Sequence, residues 1–153
     1  MTVLRHEIRI DAPVDKVWAV LADLEAVGAY NPLVASVKLV GESRSGVNAV
    51  RLCQFKPKGF SEERVTDWKP GELLGIEVVR ISFPMAYCRW KTRLAADGDG
   101  TRVSQELEYA VKFGLLGALM NGLLMKRKYD AVLASIFRGL KHHVEKGGSG
   151  AVQ

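Results

Sequence analysis

The first nine or so residues alternate between apolar and polar side chains, which predicts a half-buried β-strand over residues 3–11. One face of that strand carries Leu4, His6, Ile8 and Ile10. Asp11 and Pro13 then end the strand and favour a helix start, with Asp11 as its cap. Apolar residues recur at helical spacing over 14–24, and the Gly- and Pro-containing segment 28–32 interrupts that helix.

Turn residues at hairpin spacing divide the next stretch into six more strands. They are predicted at Ser36–Glu42, Asn48–Phe55, Phe60–Trp68, Leu73–Ser82, Met85–Ala95 and Thr101–Phe113. No helix-length segment separates them, so the sheet should be an antiparallel meander.

Strand parity predicts which side chains of this sheet face the interior. On the sixth strand the inward set is Ala86, Cys88, Trp90, Thr92 and Leu94, while Arg89, Lys91 and Arg93 form a solvated outer face. On the last strand, Gln105 shares its face with Leu107 and Tyr109. Trp68 falls on the opposite face from Val65 unless a bulge changes the parity.

Beyond Gly114 the apolar period becomes that of a helix, with apolar positions recurring from Leu116 to Val144. About thirty residues in a helix span roughly 45 Å, enough to cross a whole sheet. The Gly-rich residues 147–153 predict a flexible tail. The pattern predicts one α+β domain over residues 1–146, with no repeat and no linker.

Composition excludes several other classes of protein. The 153 residues are 48% hydrophobic and 25% charged, which fits a globular chain and excludes disorder. The excess of 22 Lys and Arg over 17 Asp and Glu gives a net charge of +5, too small to indicate a nucleic-acid partner. Phosphate-loop, dinucleotide and nucleophile-elbow motifs are lacking.

The cysteines and the first residues bear on metal binding and location. Cys53 and Cys88 are widely separated and have no nearby His, so we expect neither a metal site nor a cofactor. The first residues show no signal-peptide pattern, which favours a cytoplasmic protein with reduced thiols. The apolar run Phe113–Met125 is about 13 residues long, shorter than the roughly 20 of a membrane-spanning helix.

Several short sequence segments, taken in order, resemble those of the SRPBCC superfamily, the START-related helix-grip proteins. Within that superfamily they resemble the polyketide cyclase/dehydrase branch. The segments are Ile10–Pro13 before Val17–Asp23, Tyr30–Pro32, Glu63–Val65, Asp67–Trp68, Leu94–Thr101, Gly117–Asn121 and Met125–Lys128. They cover residues 3–146. The resemblance implies a curved seven-stranded antiparallel sheet wrapped around a long C-terminal helix, with two short helices after the first strand. It also implies a cavity between sheet and helix that holds sterols, lipids, polyketides or other apolar molecules.

Combining this fold with strand parity gives a set of candidate ligand-binding residues. They are Ile8, Ile10, Tyr30, Trp90, Thr92, Gln105, Leu107, Tyr109, Met120, Ile136 and Phe137. Gln105 needs a polar partner there, either a ligand, Tyr109 or water. Tyr30 and Asn31 lie where the resemblance places one wall of the cavity entrance.

Three residues are candidates for acid–base chemistry: His6, Glu63 and Tyr109. Each also has an ordinary structural interpretation, as a locally satisfied strand-end His, an exposed strand charge and a core Tyr. Burial would raise the pKa of Glu63 and suit it to proton transfer. No spacing rule brings the three together.

Three functions remain open on this sequence. The first is binding of an apolar small molecule, the second is a cyclase- or dehydratase-like enzyme, and the third is lipid or quinone handling at a membrane surface. The third rests on the apolar run that ends in Lys126–Lys128. We favour the binder; a homodimer is left open.

Overall fold

The computed structural model describes residues 2–112, 114, 119 and 126–146. The strands are β1 (Thr2–Ile10), β2 (Val34–Val40), β3 (Val50–Phe55), β4 (Phe60–Lys69), β5 (Leu73–Ile81), β6 (Met85–Asp97) and β7 (Gly100–Val111). The helices are α1 (Val14–Ala22), α2 (Val27–Tyr30) and α3 (Lys126–Glu145), with a 3₁₀ turn at Leu24–Ala26. In these ranges the strands form one seven-stranded antiparallel sheet in the order β1-β7-β6-β5-β4-β3-β2. The predicted α+β architecture is confirmed.

Helix α3 lies against the inner face of this sheet because its apolar side meets the inward residues of β1 and β7. Near its middle, the Phe137 ring lies edge-on to His6, with ring centroids 6.1 Å apart. Near its start, Tyr129 meets Tyr109 edge-on at 5.1 Å. The contacts between α3 and β1 fix the direction in which the helix crosses the sheet.

The inward side chains form two separate hydrophobic clusters. The larger one joins α1, the 3₁₀ turn, α2 and the second half of α3 to the sheet, and includes Ile10, Val17, Val103 and Leu140. The smaller one lies under the first turns of α3 and consists of Leu4, Cys88, Tyr109 and Leu133. The half-buried residues that pack against it are Val78, Met85, Trp90, Leu107, Val111 and Tyr129. Among the described residues, half-buried side chains therefore make up a larger share of the smaller cluster's surroundings than of the larger one's.

A glycine lets α3 approach the short helix α2 closely. A Cβ atom at Gly139 would collide with the backbone carbonyl oxygen of Tyr30, so any larger residue would push the two helices apart. Close to this contact, Lys141 donates to the carbonyl of Arg9 at 3.0 Å, and Glu145 accepts from the N–H of Asp11 at 2.7 Å. These contacts hold the end of α3 to the junction between β1 and α1.

The first helical segment differs from its prediction. Pro13, rather than Asp11, occupies the N-cap of α1 and makes no side-chain cap. The Asp11 carboxylate instead pairs with Arg9. The helix ends at Ala22, and Leu24 begins the 3₁₀ turn that leads into α2.

Among the four register shifts in the described strands, two bulges change the predicted parity of a named side chain. Between Val65 and Asp67 the β4–β5 register shifts by one residue, so Trp68 returns to the inner face and packs against Trp18 at 5.3 Å. A second shift between Met85 and Tyr87 leaves Ala86 exposed, which contradicts its predicted inward position. A bulge adds one residue to one strand only, and that is enough to reverse the alternation beyond it.

Strand ends otherwise differ from the predictions by a few residues, and the outer face of β6 is solvated as expected. Some expectations fall outside the described residues. These are the start of the last helix near Leu116, the ligand contact of Met120, most of the apolar run Phe113–Met125 and the tail 147–153.

The close approach at Gly139 yields a first prediction. Gly139→Ala should lower the free energy of unfolding by about 1–3 kcal/mol, because the added methyl group collides with backbone. This loss should appear although Ala is the better helix former by about 1 kcal/mol. Urea unfolding followed by circular dichroism measures it. The neighbouring exposed change Arg138→Ala is the control, expected within about 0.5 kcal/mol of the parent. A Gly139→Ala variant as stable as the parent would contradict the packing described above.

Candidate ligand-binding site

A buried polar network lies on the inner face of β3 and β4. Arg51 and Glu63 are 5% and 8% exposed, and the Arg51 Nε donates to Glu63 Oε1 at 2.8 Å. Glu63 also accepts from the Ser61 hydroxyl at 2.6 Å and, more weakly, from the Cys53 thiol at 3.9 Å. Arg51 donates to the carbonyl of Leu24 at 3.1 Å. The two charges thus neutralise each other inside the protein and bind the sheet to the 3₁₀ turn.

The register of the β3–β4 hairpin creates this network. Arg51 lies directly opposite Glu63, and Cys53 directly opposite Ser61, so all four side chains share one face. That face is the inner one because Cys53 and Val65 belong to the larger hydrophobic cluster. Glu63 is therefore a buried carboxylate, one of the two interpretations open from the sequence, whereas the role of Arg51 was not anticipated.

Charge and burial act together on the groups around Arg51. Burial by itself lowers the pKa of the Arg51 guanidinium, but the facing Glu63 carboxylate, together with Tyr30 and Cys53, raises it overall. Burial raises the pKa of the Tyr30 phenol, and the nearby Arg51 offsets part of that rise. Arg51 is therefore a permanent cation and Tyr30 a neutral hydrogen-bonding group at neutral pH.

Both cysteines are buried free thiols with little nucleophilic character. Burial raises the pKa of Cys53 to about 12, and the adjacent Glu63 carboxylate acts in the same direction. Burial likewise raises the pKa of Cys88 to about 12. Since the thiolate is the reactive form, neither residue is suited to covalent catalysis near pH 7.

The candidate binding residues on β6 and β7 face the interior as parity predicted. Thr92 is buried and directly opposite Gln105, and it accepts a hydrogen bond from Gln105 Nε2 at 2.9 Å. Thr92 is thus one polar partner of Gln105, and a further contact of Gln105 with a ligand stays a prediction. Trp90 and Leu107 are half-buried at the smaller hydrophobic cluster, and Tyr109 is 0% exposed within it.

The candidates from the first strand and the last helix occupy the same interior. Ile10 is 0% exposed in the larger cluster, with Ile8 and Ile136 half-buried against it and Phe137 inside it. Tyr30 also belongs to that cluster. These positions make them part of the inner surface; their contact with a ligand stays a prediction.

The three acid–base candidates have different immediate surroundings. His6 faces α3, where its Nε2 lies 2.8 Å from Asp130 Oδ1. Glu63 is bound to Arg51, four strand positions away from His6 in the sheet. Tyr109 packs against Tyr129. His6 and Glu63 are therefore held by different partners, Asp130 and Arg51.

Two clefts of about 350 Å³ each open into the described part of the molecule. The α2–α3 cleft is lined by residues that include Gly28, Tyr30, Asn31, Lys56, Ser135 and Gly139. The β5–β6 cleft is lined by residues that include Val78, Val79, Met85, Tyr87, Cys88 and Lys112. Of the described candidate ligand-binding residues, only Tyr30 lines either of them.

Two further features of the described ranges are the distribution of possible metal ligands and the character of the helices. Within them, His, Cys, Asp and Glu side chains do not gather in groups of three or more that could hold a metal ion. The described helices include none with the length and apolar content needed to cross a membrane.

A curved antiparallel sheet closed over a long C-terminal helix defines the class of START-like helix-grip proteins. Within that class, residues 1–145 match the model of the family described as polyketide cyclase / dehydrase and lipid transport. The chain belongs to this family. Among the curated proteins, none matches the chain.

Solved structures share the fold at low sequence identity. The protein TTHA0849 from Thermus thermophilus is 21% identical with a TM-score of 0.81, and the match covers 97% of this chain and 100% of that one. A START superfamily protein from Mycobacterium smegmatis is 14% identical with a TM-score of 0.78, covering 94% and 97%. Norcoclaurine synthase from Thalictrum flavum, solved with dopamine and hydroxybenzaldehyde, is 16% identical with a TM-score of 0.71, covering 97% and 89%. At these identities the likeness establishes the fold.

The buried ion pair yields a second prediction. Arg51→Met should destabilise the protein by about 3–5 kcal/mol, because it leaves the Glu63 carboxylate buried without its cation. The double variant Arg51→Met/Glu63→Leu should lose much less than the sum of the two single changes. Urea unfolding of the four proteins measures this coupling.

The control is an ion pair with similar geometry on the surface. Arg5 donates to Glu106 at 2.8 Å, but its side chain is 72% exposed. Arg5→Met should change stability by no more than about 1 kcal/mol. Additive losses in the Arg51 and Glu63 variants would mean that the pair is not energetically coupled.

Proposed function

We propose that this protein binds an apolar small molecule between the sheet and the start of α3. The observation that carries the proposal is the incompletely buried ring of apolar side chains around the smaller hydrophobic cluster, among them Val78, Trp90 and Leu107. These residues face inward and yet retain solvent exposure, which is unfavourable unless something apolar covers them. The family description, which includes lipid transport, supports the same function.

The contents of the interior favour binding over catalysis. A cyclase- or dehydratase-like reaction needs two polar groups that converge on one substrate position. His6 and Glu63 are instead bound to separate partners, Asp130 and Arg51. The thiol groups of Cys53 and Cys88 are protonated at neutral pH, because burial raises the pKa of each. Gln105 donates a hydrogen bond to Thr92, and these two uncharged side chains form a small polar surface beside Trp90.

An uncharged fluorescent probe tests this function. N-phenyl-1-naphthylamine should bind with a stoichiometry near one and gain fluorescence on entering the interior. Leu107→Trp should weaken that binding at least about tenfold, since the larger ring fills the space beside Trp90. Glu106→Trp places the same ring on the outer face of the same strand and should leave the affinity unchanged.

The outcome that contradicts the proposal is equally specific. Equal affinities in the two Trp variants, with both folded by circular dichroism, would place the probe outside the interior. Native mass spectrometry of the protein purified from its own host then identifies the natural ligand by its added mass.

One observation favours a second function, lipid handling at a membrane surface. Phe83 and Tyr87 are 41% and 36% exposed at the end of the sheet where β6 begins. The exposed basic residues Lys126–Lys128 lie at that same end. They directly precede Tyr129, which packs on Tyr109, and Tyr109 is paired with Cys88 near the start of β6. Exposed aromatic rings beside basic residues are typical of surfaces that dock on anionic lipid.

Vesicle sedimentation tests this second function. The protein should pellet with phosphatidylglycerol vesicles at low salt and remain in the supernatant with phosphatidylcholine. Replacing Lys126, Arg127 and Lys128 by Gln should weaken binding by roughly 100-fold, at about 1 kcal/mol per charge. Phe83→Ser should also weaken it, whereas Val47→Ser, at the opposite end of the sheet, should not. Pelleting that ignores lipid charge would contradict a docking surface of this kind.

A further inference from the structure

At one end the sheet is split between its central strand, β5, and the neighbouring strand β6. Strands β5 and β6 pair from Leu73 opposite Arg93 to Glu77 opposite Arg89, and the pairing stops there. Beyond that point β5 continues to pair with β4 as far as Ile81, and β6 with β7 from Met85. The outer neighbours of the two strands therefore hold them apart. Their facing backbone edges need another source of hydrogen bonds, from water or a bound molecule.

The β5–β6 cleft lies along this split. Val78 and Cys88 line it and also belong to the smaller hydrophobic cluster beneath α3. Val79 and Tyr87 line it as well, and each is 36% exposed. Each strand also carries an extra residue beside the cleft, Val79 in β5 and Ala86 in β6, which disturbs the sheet at this point. The cleft therefore has both residues of the buried cluster and exposed residues in its wall.

The charges at the rim leave one cation uncompensated. Arg80 donates to Glu62 at 2.9 Å and lies over the Phe60 ring, and Arg89 is paired with Glu108. Lys112 also lines the cleft and is exposed, and within the described ranges its ammonium group has no carboxylate at ion-pair distance. Its backbone N–H donates to the carbonyl of Pro84 at 2.9 Å, which fixes its position at the rim.

We propose that the β5–β6 cleft admits a single-chain anionic amphiphile such as a fatty acid, with its carboxylate at Lys112 and its chain passing Cys88 into the interior. This proposal rests on the proposed function, since the interior must accept an apolar chain. The split opens between a single pair of strands, which favours an unbranched chain. An apolar floor with one free cation at its mouth, among the residues described, suits a single negative head group.

A fluorescent fatty acid and its uncharged ester separate the two proposals. The protein should bind cis-parinaric acid roughly tenfold or more tightly than its methyl ester, the difference expected for a charged hydrogen bond. Lys112→Gln should reduce the affinity for the acid to that for the ester and leave the ester unchanged. Lys91→Gln, on the outer face of the same sheet and 53% exposed, is the matched control and should change neither affinity.

Thiol footprinting of the unaltered protein locates the chain independently of any variant. Cys88 lines the cleft and Cys53 does not, while both thiols have a pKa of about 12. With a disulfide reagent and peptide mapping, saturating cis-parinaric acid should slow the modification of Cys88 at least about tenfold more than that of Cys53. Cys53 reports any general stabilisation of the fold.

Each outcome decides one of the proposals. Binding of neither acid nor ester overturns the proposed function and this inference with it. Equal binding of acid and ester, insensitivity to Lys112→Gln, or equal protection of the two thiols overturns the inference alone. In those cases the apolar binding function stands with a different entrance.

Discussion

The buried pair of Arg51 and Glu63 determines how the rest of the molecule is assembled. An unpaired charge in this position would be strongly unfavourable, so the two strands must keep the register that sets these residues opposite each other. Arg51 also holds the carbonyl of Leu24 and lies beside Tyr30. The Tyr30 backbone in turn packs against Gly139 of α3. One ion pair thus connects the sheet, the short helices and the long helix.

This arrangement explains why the two ends of the interior differ. The larger cluster is crossed by these polar ties and covered by four helical segments: α1, the 3₁₀ turn, α2 and the second half of α3. The smaller cluster has only the first turns of α3 above it, among the described residues, and a split sheet beside it. The first end is held by fixed polar contacts, and the second offers apolar surface with less cover, as the proposed binding function requires.

The sequence predicted the architecture because periodicity reports burial directly. The change from alternation to helical spacing after β7 was enough to predict a sheet covered by a helix. The bulges that affect Trp68 and Ala86 were not predictable, because an added residue leaves no mark in composition. For that reason the face of Trp68 was left dependent on a bulge, and the inward position of Ala86 was wrong. Arg51 was missed although the β3–β4 turn fixes its pairing with Glu63. Counting residues along β3 and β4 away from that turn would have placed Arg51 opposite Glu63, with their opposite charges on the inner face. Pairings across the fold, such as His6 with Asp130, depend on how α3 lies and carry no local signal.

The pairing of β1 with β7 has a consequence for how the chain is made. Thr2 lies opposite Tyr109 and Ile10 opposite Thr101, so β1 is synthesised long before the strand with which it pairs. Until then its apolar face has neither its partner strand nor α3 above it. Loop closure over such separations is slow, and exposed strands are prone to associate with other chains. The sheet therefore cannot close until β7 has been synthesised. Until then, only the hairpins formed among the strands already made reduce the exposed strand edges that could associate with other chains.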